Sequence, residues 1–319
     1  MTVTDIDCFA AVVERTGVAH MRVFITGASG WIGSAVTDEL LANGHEVVGL
    51  ARSDESATSL TAKGATVQRG DLDDLDSLRA GAEGVDAVIH LANKHDFANQ
   101  AVSNLAERNA VETLGDALEG SGRVFLIASG VPGQRGRAGL ETDASENVGL
   151  ESARGGSEHL ALSYSSKGVV SGAVRFAPTV HGVGDNGFSA VLTQIAKDKG
   201  VAGYVGDGAN RWPAVHRSDA ARLVRLGLEH AEPNAILHAM GEEGIPTRDI
   251  AEAIGRSLGV PTKSIAPDDV MAHFGWLGMF FSFDIPTSSA LTQAKYGWTP
   301  SGPTLLEDLD TGVYARNVR

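Results

Sequence analysis

The sequence of 319 residues contains one cysteine, Cys8, and no apolar run approaching the roughly 20 residues of a membrane span. A single cysteine excludes an internal disulfide and indicates a reducing compartment. The acidic residues Asp5, Asp7 and Glu14 interrupt the start of the chain, so we predict no secretory signal peptide. Together these absences favour a cytoplasmic protein without a membrane partner.

Basic residues are also scarce. The chain has 26 Lys and Arg against 40 Asp and Glu, a formal net charge of −14. A nucleic-acid surface needs clustered Lys and Arg to neutralise phosphates, so we expect no nucleic-acid partner. The carboxylates and histidines show none of the paired spacings that bind metal ions, which predicts no metal site. Hydrophobic residues make up 43% of the chain, enough to build the core of a large domain.

Short apolar runs alternate with helical patterns from Met21 onward. The strand-like runs are Val23–Thr26, Glu46–Leu50, Thr66–Arg69, Ala87–Leu91, Val124–Ala128 and Val169–Arg175. The helical patterns lie near residues 31–43, 54–63, 74–82, 97–120 and 153–166. Strands that alternate with helices require crossover connections and a parallel sheet buried on both faces. The sequence therefore predicts an α/β fold with a Rossmann-type doubly wound parallel sheet.

The chain divides into three predicted segments. Residues 1–20 precede the first strand and form an N-terminal extension. Residues 21–177 carry the alternating pattern and form the Rossmann domain. Glycines and prolines interrupt the pattern after that, so residues 178–319 are predicted to form a smaller lobe with segments that return to the main sheet.

A glycine-rich turn follows the first strand and leads into the first helix. Gly27 permits a tight turn, Gly30 lets backbone N–H groups approach a pyrophosphate, and Gly33 allows the helix to pack closely on the strand. The helix N-terminus adds a partial positive charge toward phosphates. This order of strand, glycines and helix predicts a bound dinucleotide. The predicted contacts are Gly27, Ser29, Gly30, Trp31, Ile32 and Gly33.

The end of the second strand discriminates between the two nicotinamide dinucleotides. An NAD site usually places an acid there for the ribose 2′-hydroxyl, whereas an Arg accommodates the 2′-phosphate of NADP. Here Arg52 and Ser53 follow the strand, and a guanidinium and a hydroxyl suit a phosphate. Asp54 comes next and could serve the hydroxyl of NAD. We predict NADP and leave NAD open.

The third and fourth strands end in further candidates for cofactor binding. Asp71 is placed to accept a hydrogen bond from the adenine amino group, with Leu72 against the ring. Asp73 could instead be the N-cap of the helix that begins near residue 74. The fourth strand runs into residues whose backbone could lie along the cofactor, namely Leu91, Ala92 and Asn93.

Several segments together resemble the extended short-chain dehydrogenases/reductases, the NAD-dependent epimerase/dehydratase family. Between residue 21 and about residue 310, the matching segments are Thr26–Gly33, Gly70–Asp73, Val88–Ala92, Ala128–Ser129, Val174–Gly182 and Val215–Ala221. The resemblance implies a Rossmann domain that holds NAD(P) and a smaller lobe that binds the substrate. It also implies a homodimer through two helices, here 97–120 and 153–166. Pro178, in the fifth segment, is assigned to cofactor binding.

The resemblance breaks at the catalytic residues. In that family a Ser or Thr after the fifth strand orients the substrate, and a Tyr with a Lys four residues on passes the proton. Ser129 fills the first role, but Arg154 and Glu158 stand where the Tyr and the Lys are expected. An Arg, with a pKa above ~12, is a poor proton donor at neutral pH, and the two residues could simply pair along a helix. Tyr164 and Lys167 resemble the missing pair but are too closely spaced and lie too far along the helix.

Other side chains could replace the missing Tyr. Arg154 could anchor an anionic or carbonyl substrate or stabilise an oxyanion without donating a proton. His95, on the loop after the fourth strand, could donate a proton near neutral pH. Ser129, Arg154 and His95 are therefore the predicted catalytic residues. Substrate contacts are predicted at Lys94, His181, Trp212 and His216.

These features predict an NAD(P)-dependent oxidoreductase, an enzyme that uses NADPH to reduce a small carbonyl or imine substrate. Two alternatives stay open. The first is a sugar-nucleotide epimerase or dehydratase, although those reactions depend on the Tyr–Lys pair. The second is a non-catalytic protein that binds NADP and reports redox state to a partner.

Overall fold

The computed structural model describes residues 20–96, 99–134 and 136–317. The predicted N-terminal extension lies outside the described residues, apart from His20. The strands are β1 (Arg22–Thr26), β2 (Glu46–Ala51), β3 (Thr66–Arg69), β4 (Ala87–His90), β5 (Val124–Gly130), β6 (Val170–Phe176), β7 (Thr179–His181), β8 (Ala202–Val205), β9 (Arg211–His216), β10 (Ala235–Ala239), β11 (Glu242–Pro246) and β12 (Thr262–Ile265).

Helices connect most of these strands. They are α1 (Trp31–Ala42), α2 (Asp54–Lys63), α3 (Leu75–Ala82), α4 (Gln100–Leu118), α5 (Ser157–Ser163), α6 (Phe188–Lys199), α7 (Arg217–Glu229), α8 (Thr247–Leu258), α9 (Val270–Phe274), α10 (Leu277–Phe281), α11 (Ala290–Tyr296), α12 (Leu305–Asp310) and α13 (Val313–Asn317). Short 3-10 turns lie at Ala153–Gly156, Tyr164–Lys167 and Pro267–Asp269.

The main sheet has seven strands in the order β10-β6-β5-β4-β1-β2-β3. Each neighbouring pair is parallel. From β1 the chain adds β2 and then β3 on one side of the sheet. It then returns to the other side of β1 and adds β4, β5, β6 and β10 there, so the strand order reverses between β1 and β4. Helices cover both faces, which is why the central strands are apolar and buried along their length. This arrangement confirms the predicted Rossmann-type fold, and in such sheets ligands bind at the carboxyl ends of the strands, at the reversal.

The remaining strands belong mostly to the smaller lobe. Strands β11, β9 and β7 form one small sheet, and β12 pairs with β8 in another. A second apolar core holds this region together, with Trp212, Phe274, Phe281 and Leu309 among its buried side chains. Strand β10 leaves the lobe and pairs with β6 at the edge of the main sheet.

The predicted helix over 153–166 is interrupted at its start and ends in a 3-10 turn. A 3-10 turn occupies Ala153–Gly156, and only Ser157–Ser163 forms an α-helix. Arg154, Gly155 and Gly156 all have left-handed backbone angles, with φ of 55°, 61° and 66°. Because left-handed residues cannot continue a right-handed helix, Arg154 and Glu158 do not lie one turn apart on a shared helix face.

Candidate active site

The glycine-rich loop joins β1 to α1 where the strand order reverses. Gly27 has a φ of 70°, and a Cβ atom there would lie 2.8 Å from the backbone nitrogen of Ala92. A Cβ atom on Gly33 would lie 2.0 Å from the carbonyl oxygen of Gly27. Both glycines are therefore required by close backbone approach, the first to the loop after β4 and the second between helix and strand.

The N-terminus of α1 fits the phosphates of a dinucleotide. Gly30 is the N-cap, and no side chain caps the helix, so the leading N–H groups remain available to an anion. Ser29 is half-buried just before the cap, and Ile32 packs against the core. Trp31 points elsewhere: its indole N–H donates to the carbonyl of Val180 at 2.7 Å. The indole N–H of Trp31 is therefore already used within the protein, while its backbone faces the site predicted for the dinucleotide.

The end of β2 carries an ion pair that bears on the choice of cofactor. Arg52 is exposed, and its guanidinium has no partner among the described residues. Ser53 caps α2 by accepting from the backbone of Ser56 at 3.2 Å. The carboxylate of Asp54 is bound by Arg69, with Nη2 2.5 Å from Oδ1. Arg69 was not identified as a candidate from the sequence. Arg69 is the last residue of β3, and because β3 pairs in parallel with β2, it lies beside the end of β2.

Two carboxylates, Asp71 and Asp74, order the turn after β3 and the start of α3. Asp71 accepts from the backbone N–H groups of Asp73 and Asp74, at 2.8 and 3.1 Å, which orders the turn. The predicted N-cap Asp73 is wrong, because Asp74 caps α3 by accepting from Ser77 at 3.2 Å. Leu72 is buried. One oxygen of Asp71 is therefore committed to the turn.

The loop after β4 packs against the glycine-rich loop. The backbone N–H of Ala92 donates to the hydroxyl of Thr26 at 3.3 Å, and Leu91, Ala92 and Asn93 are all half-buried. Lys94 forms an ion pair with Asp73 at 2.7 Å, which ties this loop to the turn after β3. The predicted substrate contact Lys94 is thus occupied by a carboxylate. Pro178 is half-buried at the carboxyl end of β6, on the same edge of the sheet.

Glu107 on α4 is a buried carboxylate that gathers several of the predicted residues. It binds Arg154 at 2.6 Å and Asn93 at 3.0 Å, and Nε2 of His90 lies 3.7 Å away. Burial alone would raise the pKa of Glu107, but the Arg154 guanidinium and His90 lower it to about 2. The expected pairing of Arg154 with Glu158 is wrong, because the left-handed turn directs Arg154 to Glu107 instead.

Arg154 and His95 come close enough to interact electrostatically. Desolvation and the Arg154 guanidinium lower the pKa of His95, and the carboxylate of Glu107 partly opposes them. The imidazole is therefore neutral at neutral pH and can accept a proton. The side chain of Arg154 is 27% exposed, and its Nε is buried without a hydrogen-bond partner.

Ser129, at the carboxyl end of β5, is bonded to Glu158. Its hydroxyl donates to Oε2 of Glu158 at 2.6 Å, and the carboxylate is held by two nitrogens of the buried Arg175, at 2.6 and 3.1 Å. Nη1 of Arg175 donates to the carbonyl of Asp143 at 2.9 Å and lies 3.3 Å from Nε2 of His238. Sequence reasoning missed Arg175, although a cation inside an apolar strand signals a buried partner.

Tyr164 lies away from this group. Its hydroxyl donates to Asp116 at 2.6 Å, and burial together with that carboxylate raises its pKa. Lys167 stacks over the Tyr164 ring and pairs with Glu119 at 3.2 Å. Both side chains stabilise the packing of the 3-10 turn on α4, in line with the expectation that they are not the missing catalytic pair.

Three predicted substrate contacts have structural roles. His181 is fully buried, and its ring bonds the carboxylate of Asp308 at 2.7 Å. Trp212 is buried and donates to the carbonyl of Phe283 at 3.2 Å. His216 caps the N-terminus of α7 with its ring nitrogen. His181 and Trp212 are enclosed in packed protein, and their predicted contact with a substrate stays a prediction.

Two features of the described residues bear on other classes of function. Every helix in this part of the chain is too short or too polar to span a bilayer. The described carboxylate and histidine side chains form no group of three or more that could hold a metal ion.

Two yeast proteins match nearly the whole chain. Protein YLL056C of Saccharomyces cerevisiae is 46% identical over 295 residues, which is 91% of this chain and 98% of that protein. Protein C2A9.02 of Schizosaccharomyces pombe is 43% identical over 294 residues, 92% of this chain and 100% of that protein. A more distant relative is the decarboxylating sterol-4-alpha-carboxylate 3-dehydrogenase of Dictyostelium discoideum, 26% identical over 80% of this chain and 83% of that protein.

Solved structures show the same fold. The dTDP-glucose 4,6-dehydratase DesIV of Streptomyces venezuelae, with NAD and TYD bound, has a TM-score of 0.74 at 22% identity and covers 93% of this chain and 98% of its own. The UDP-glucose 4-epimerase of Thermus thermophilus, in complex with NAD, has a TM-score of 0.72 at 21% identity and covers 93% of this chain and 100% of its own.

The family model described as "NAD dependent epimerase/dehydratase family" matches residues 23–239, from β1 to the end of β10. This match covers the glycine-rich loop, Ser129 and the full main sheet. Together with the dehydrogenase relative, it supports an enzyme of the oxidoreductase type. The chain belongs to the NAD-dependent epimerase/dehydratase family.

Proposed function

We propose that this protein is an NADP-dependent oxidoreductase that reduces a small carbonyl or imine substrate with NADPH, through an active site that lacks the Tyr–Lys pair. The observation that carries the proposal is the Ser129–Glu158 hydrogen bond of 2.6 Å at the carboxyl end of β5. It lies on the edge of the sheet where the glycine-rich loop follows β1. A hydroxyl coupled to a carboxylate at this edge can exchange a proton with a substrate oxygen.

The residues that would hold the cofactor are those of the glycine-rich loop and the strand ends beside it. The N-terminus of α1 would take the pyrophosphate, and Arg52 with the Ser53 hydroxyl would take the 2′-phosphate. The bound nicotinamide supplies or accepts the hydride. The structural neighbours with bound NAD support a dinucleotide at this position of the fold.

Ser129 and Glu158 would carry the proton. In the structure the Ser129 hydroxyl donates to the carboxylate, so its lone pairs are free to accept from the hydroxyl of an alcohol. A proton that enters Ser129 would leave it toward Glu158. Reduction would use the same path in reverse: Ser129 would give its proton to the substrate oxygen, and a proton taken up from solvent by way of Glu158 would restore the hydroxyl. Arg175 keeps the carboxylate in place by binding both of its oxygens.

Arg154 is the proposed anchor for a negatively charged substrate group. Its side chain is 27% exposed, and its buried Nε has no hydrogen-bond partner. Two relatives are named for carboxylate substrates, the sterol-4-alpha-carboxylate dehydrogenase and a 2-alkyl-3-oxoalkanoate reductase of Stenotrophomonas maltophilia, 25% identical over 76% of this chain. These names support a 3-oxo carboxylate as the first substrate class to test.

The experiment is a screen of NADPH oxidation across aldehydes, ketones, imines and 3-oxo acids, with the methyl esters of those acids as uncharged controls. Ser129→Ala and Glu158→Gln are expected to lower kcat by about 100-fold or more, because each removes one member of the proton path. NADPH affinity should stay unchanged in both variants. Ser166→Ala, which removes an exposed hydroxyl bonded only to the carbonyl of Ser163, is the matched control and should keep full activity.

Two results would contradict this proposal. Full turnover by Ser129→Ala would exclude the proton path. Tight NADPH binding without turnover on any compound would favour the redox-sensor alternative.

We also propose that the protein is a homodimer through α4 and the region of α5. Val102 and Leu105 lie one turn apart on α4 and are each 47% exposed. A neighbouring subunit would remove this apolar pair from water.

A further inference from the structure

We propose that Arg69 makes the nucleotide site selective for a 2′-phosphate by binding the one acid that would otherwise serve the 2′-hydroxyl of NAD. This inference rests on the NADP-dependent function proposed above. It assigns a specificity-determining role to a residue on β3, beyond the strand end that carries Arg52 and Ser53.

The sheet itself brings Arg69 to the site. Strands β2 and β3 are parallel, and Arg69 lies opposite Ala51, one residue before Arg52. From there the guanidinium makes two contacts. Nη1 donates to the carbonyl oxygen of Ser53 at 2.7 Å, and Nη2 lies 2.5 Å from Oδ1 of Asp54. Arg69 therefore holds both the backbone and the first acid of the segment that follows β2.

The ion pair changes what Asp54 can do. A carboxylate that selects NAD must accept hydrogen bonds from a ribose hydroxyl, and here one oxygen of Asp54 is bound by the guanidinium. If Asp54 were unpaired, its charge would repel the phosphate that distinguishes NADP. The pair offsets part of this repulsion, although the side chain of Asp54 is 98% exposed and water screens its charge.

The local charge opposes a phosphate once Arg69 is removed. Arg52 and Arg69 balance the two acids in the first turn of α2, Asp54 and Glu55, beside the Ser53 hydroxyl. Without Arg69, one net negative charge would remain at this strand end. The side chain of Arg69 is also 52% exposed, so its remaining N–H groups are accessible to an anion.

The test is titration of the purified protein with NADPH and with NADH, followed by nucleotide fluorescence, so the readout is binding and not turnover. The wild-type protein should bind NADPH at least about tenfold more tightly than NADH, the ratio that one charge-assisted contact provides. Arg69→Gln should reduce the ratio of NADPH affinity to NADH affinity by about tenfold. The substitution should weaken NADPH binding, and it should strengthen NADH binding because Asp54 is released from its ion pair. Adding Asp54→Asn to Arg69→Gln should abolish the gain in NADH affinity and should restore part of the NADPH affinity, because the repulsion from the released carboxylate is removed as well.

Two further variants sharpen the result. Arg69→Lys keeps the charge but loses the planar two-point contact, so its ratio should lie between those of the wild type and Arg69→Gln. It also tests the inference if Arg69→Gln does not fold. Arg79→Gln is the matched control, because Arg79 is similarly exposed, at 54%, and pairs with an acid on α3, Asp76. It should leave both affinities unchanged.

The outcomes separate this inference from the function on which it rests. If the wild type prefers NADPH and Arg69→Gln retains the full preference, the role of Arg69 is excluded while the NADP-dependent function stands. If the wild type binds NADH as tightly as NADPH, or binds neither, the NADP preference itself is wrong and the role of Arg69 falls with it.

Discussion

Glu107 is the residue on which two separate segments of the candidate site converge. It receives Asn93 from the loop after β4 and Arg154 from the turn before α5, and its side chain is only 1% exposed. A carboxylate buried to this degree is tolerated because each oxygen has a donor. The same ion pair places the Arg154 guanidinium near His95. One buried acid therefore positions Arg154, the proposed substrate anchor, and Asn93, a predicted cofactor contact.

The ionisation of Glu107 should make stability depend on acidity. Its pKa is about 2 in the folded protein, against an ordinary value of 4.5. Because the folded-state pKa is the lower one, the unfolded chain binds more protons in this range. The stabilisation is therefore present above pH 4.5 and is lost as the pH falls from 4.5 toward 2.

Urea unfolding of the wild type and Glu107→Gln at decreasing pH measures this effect. The gap in unfolding free energy should shrink by up to about 3 kcal/mol between neutral pH and the acid limit of folding. Glu112→Gln, an exposed position on the same helix, is the control and should show a gap that does not change with pH. A gap for Glu107→Gln that is constant with pH would contradict the assignment.

The turn over Ala153–Gly156 is the element that distinguishes this site from a continuous helix. Three consecutive left-handed residues turn the chain so that Arg154 faces α4 while Glu158, in the helix that follows, faces Ser129 and Arg175. Gly155 is also packed against α4, since a Cβ atom there would lie 2.5 Å from the carbonyl oxygen of Asn104. The two ion pairs depend on this turn being held in place.

Substituting Gly155 with Ala should therefore destabilise the protein by more than backbone strain alone. Gly200, with a φ of 65° and nothing within 4 Å of a Cβ atom, is the matched control. Gly200→Ala should cost about 1 kcal/mol for its left-handed backbone, and Gly155→Ala should cost at least about 1 kcal/mol more because of the clash. Urea unfolding measures both. An equal loss of unfolding free energy in the two variants would show that α4 moves away from the added methyl group without a measurable penalty.

At the scale of the whole molecule, the end of the glycine-rich loop contacts the smaller lobe and so connects the lobe to the main sheet. The indole of Trp31 donates to the carbonyl of Val180, and the guanidinium of Arg217 lies 4.2 Å from its ring centroid. Strand β10 adds a second connection by pairing with β6. The glycine-rich loop and the start of α1 are thus packed against the smaller lobe.

The proposed dimer is a property of the whole molecule and can be tested as such. Leu105→Asp places a charge in the apolar pair on α4 and should convert a dimer into a monomer in size-exclusion chromatography with light scattering. Leu291→Asp, at a side chain 50% exposed on α11, is the matched control and should leave the mass unchanged. A wild-type protein that elutes as a monomer would exclude the dimer.

Local patterns were sufficient to predict the sheet and the glycine-rich loop. The alternation of apolar runs with helical stretches indicates which strands are buried in the sheet. The spacing of Gly27, Gly30 and Gly33 indicates a close approach of backbone segments that a side chain would block. The predicted helix from 54 to 63 matches α2, and the helix predicted over 97–120 begins and ends within a few residues of α4. Those features depend on neighbours in sequence, so the sequence by itself determined them.

Only the tertiary structure decided which charges meet. Arg154 pairs with a residue 47 positions away, Glu158 with one 17 positions away, and Asp54 with one 15 positions away. Each pairing follows from the order and register of parallel strands and from a left-handed turn that helical spacing could not reveal. The sequence therefore determined the fold and the nucleotide loop, whereas the partners of the catalytic candidates were decided by elements that pack together from distant parts of the chain.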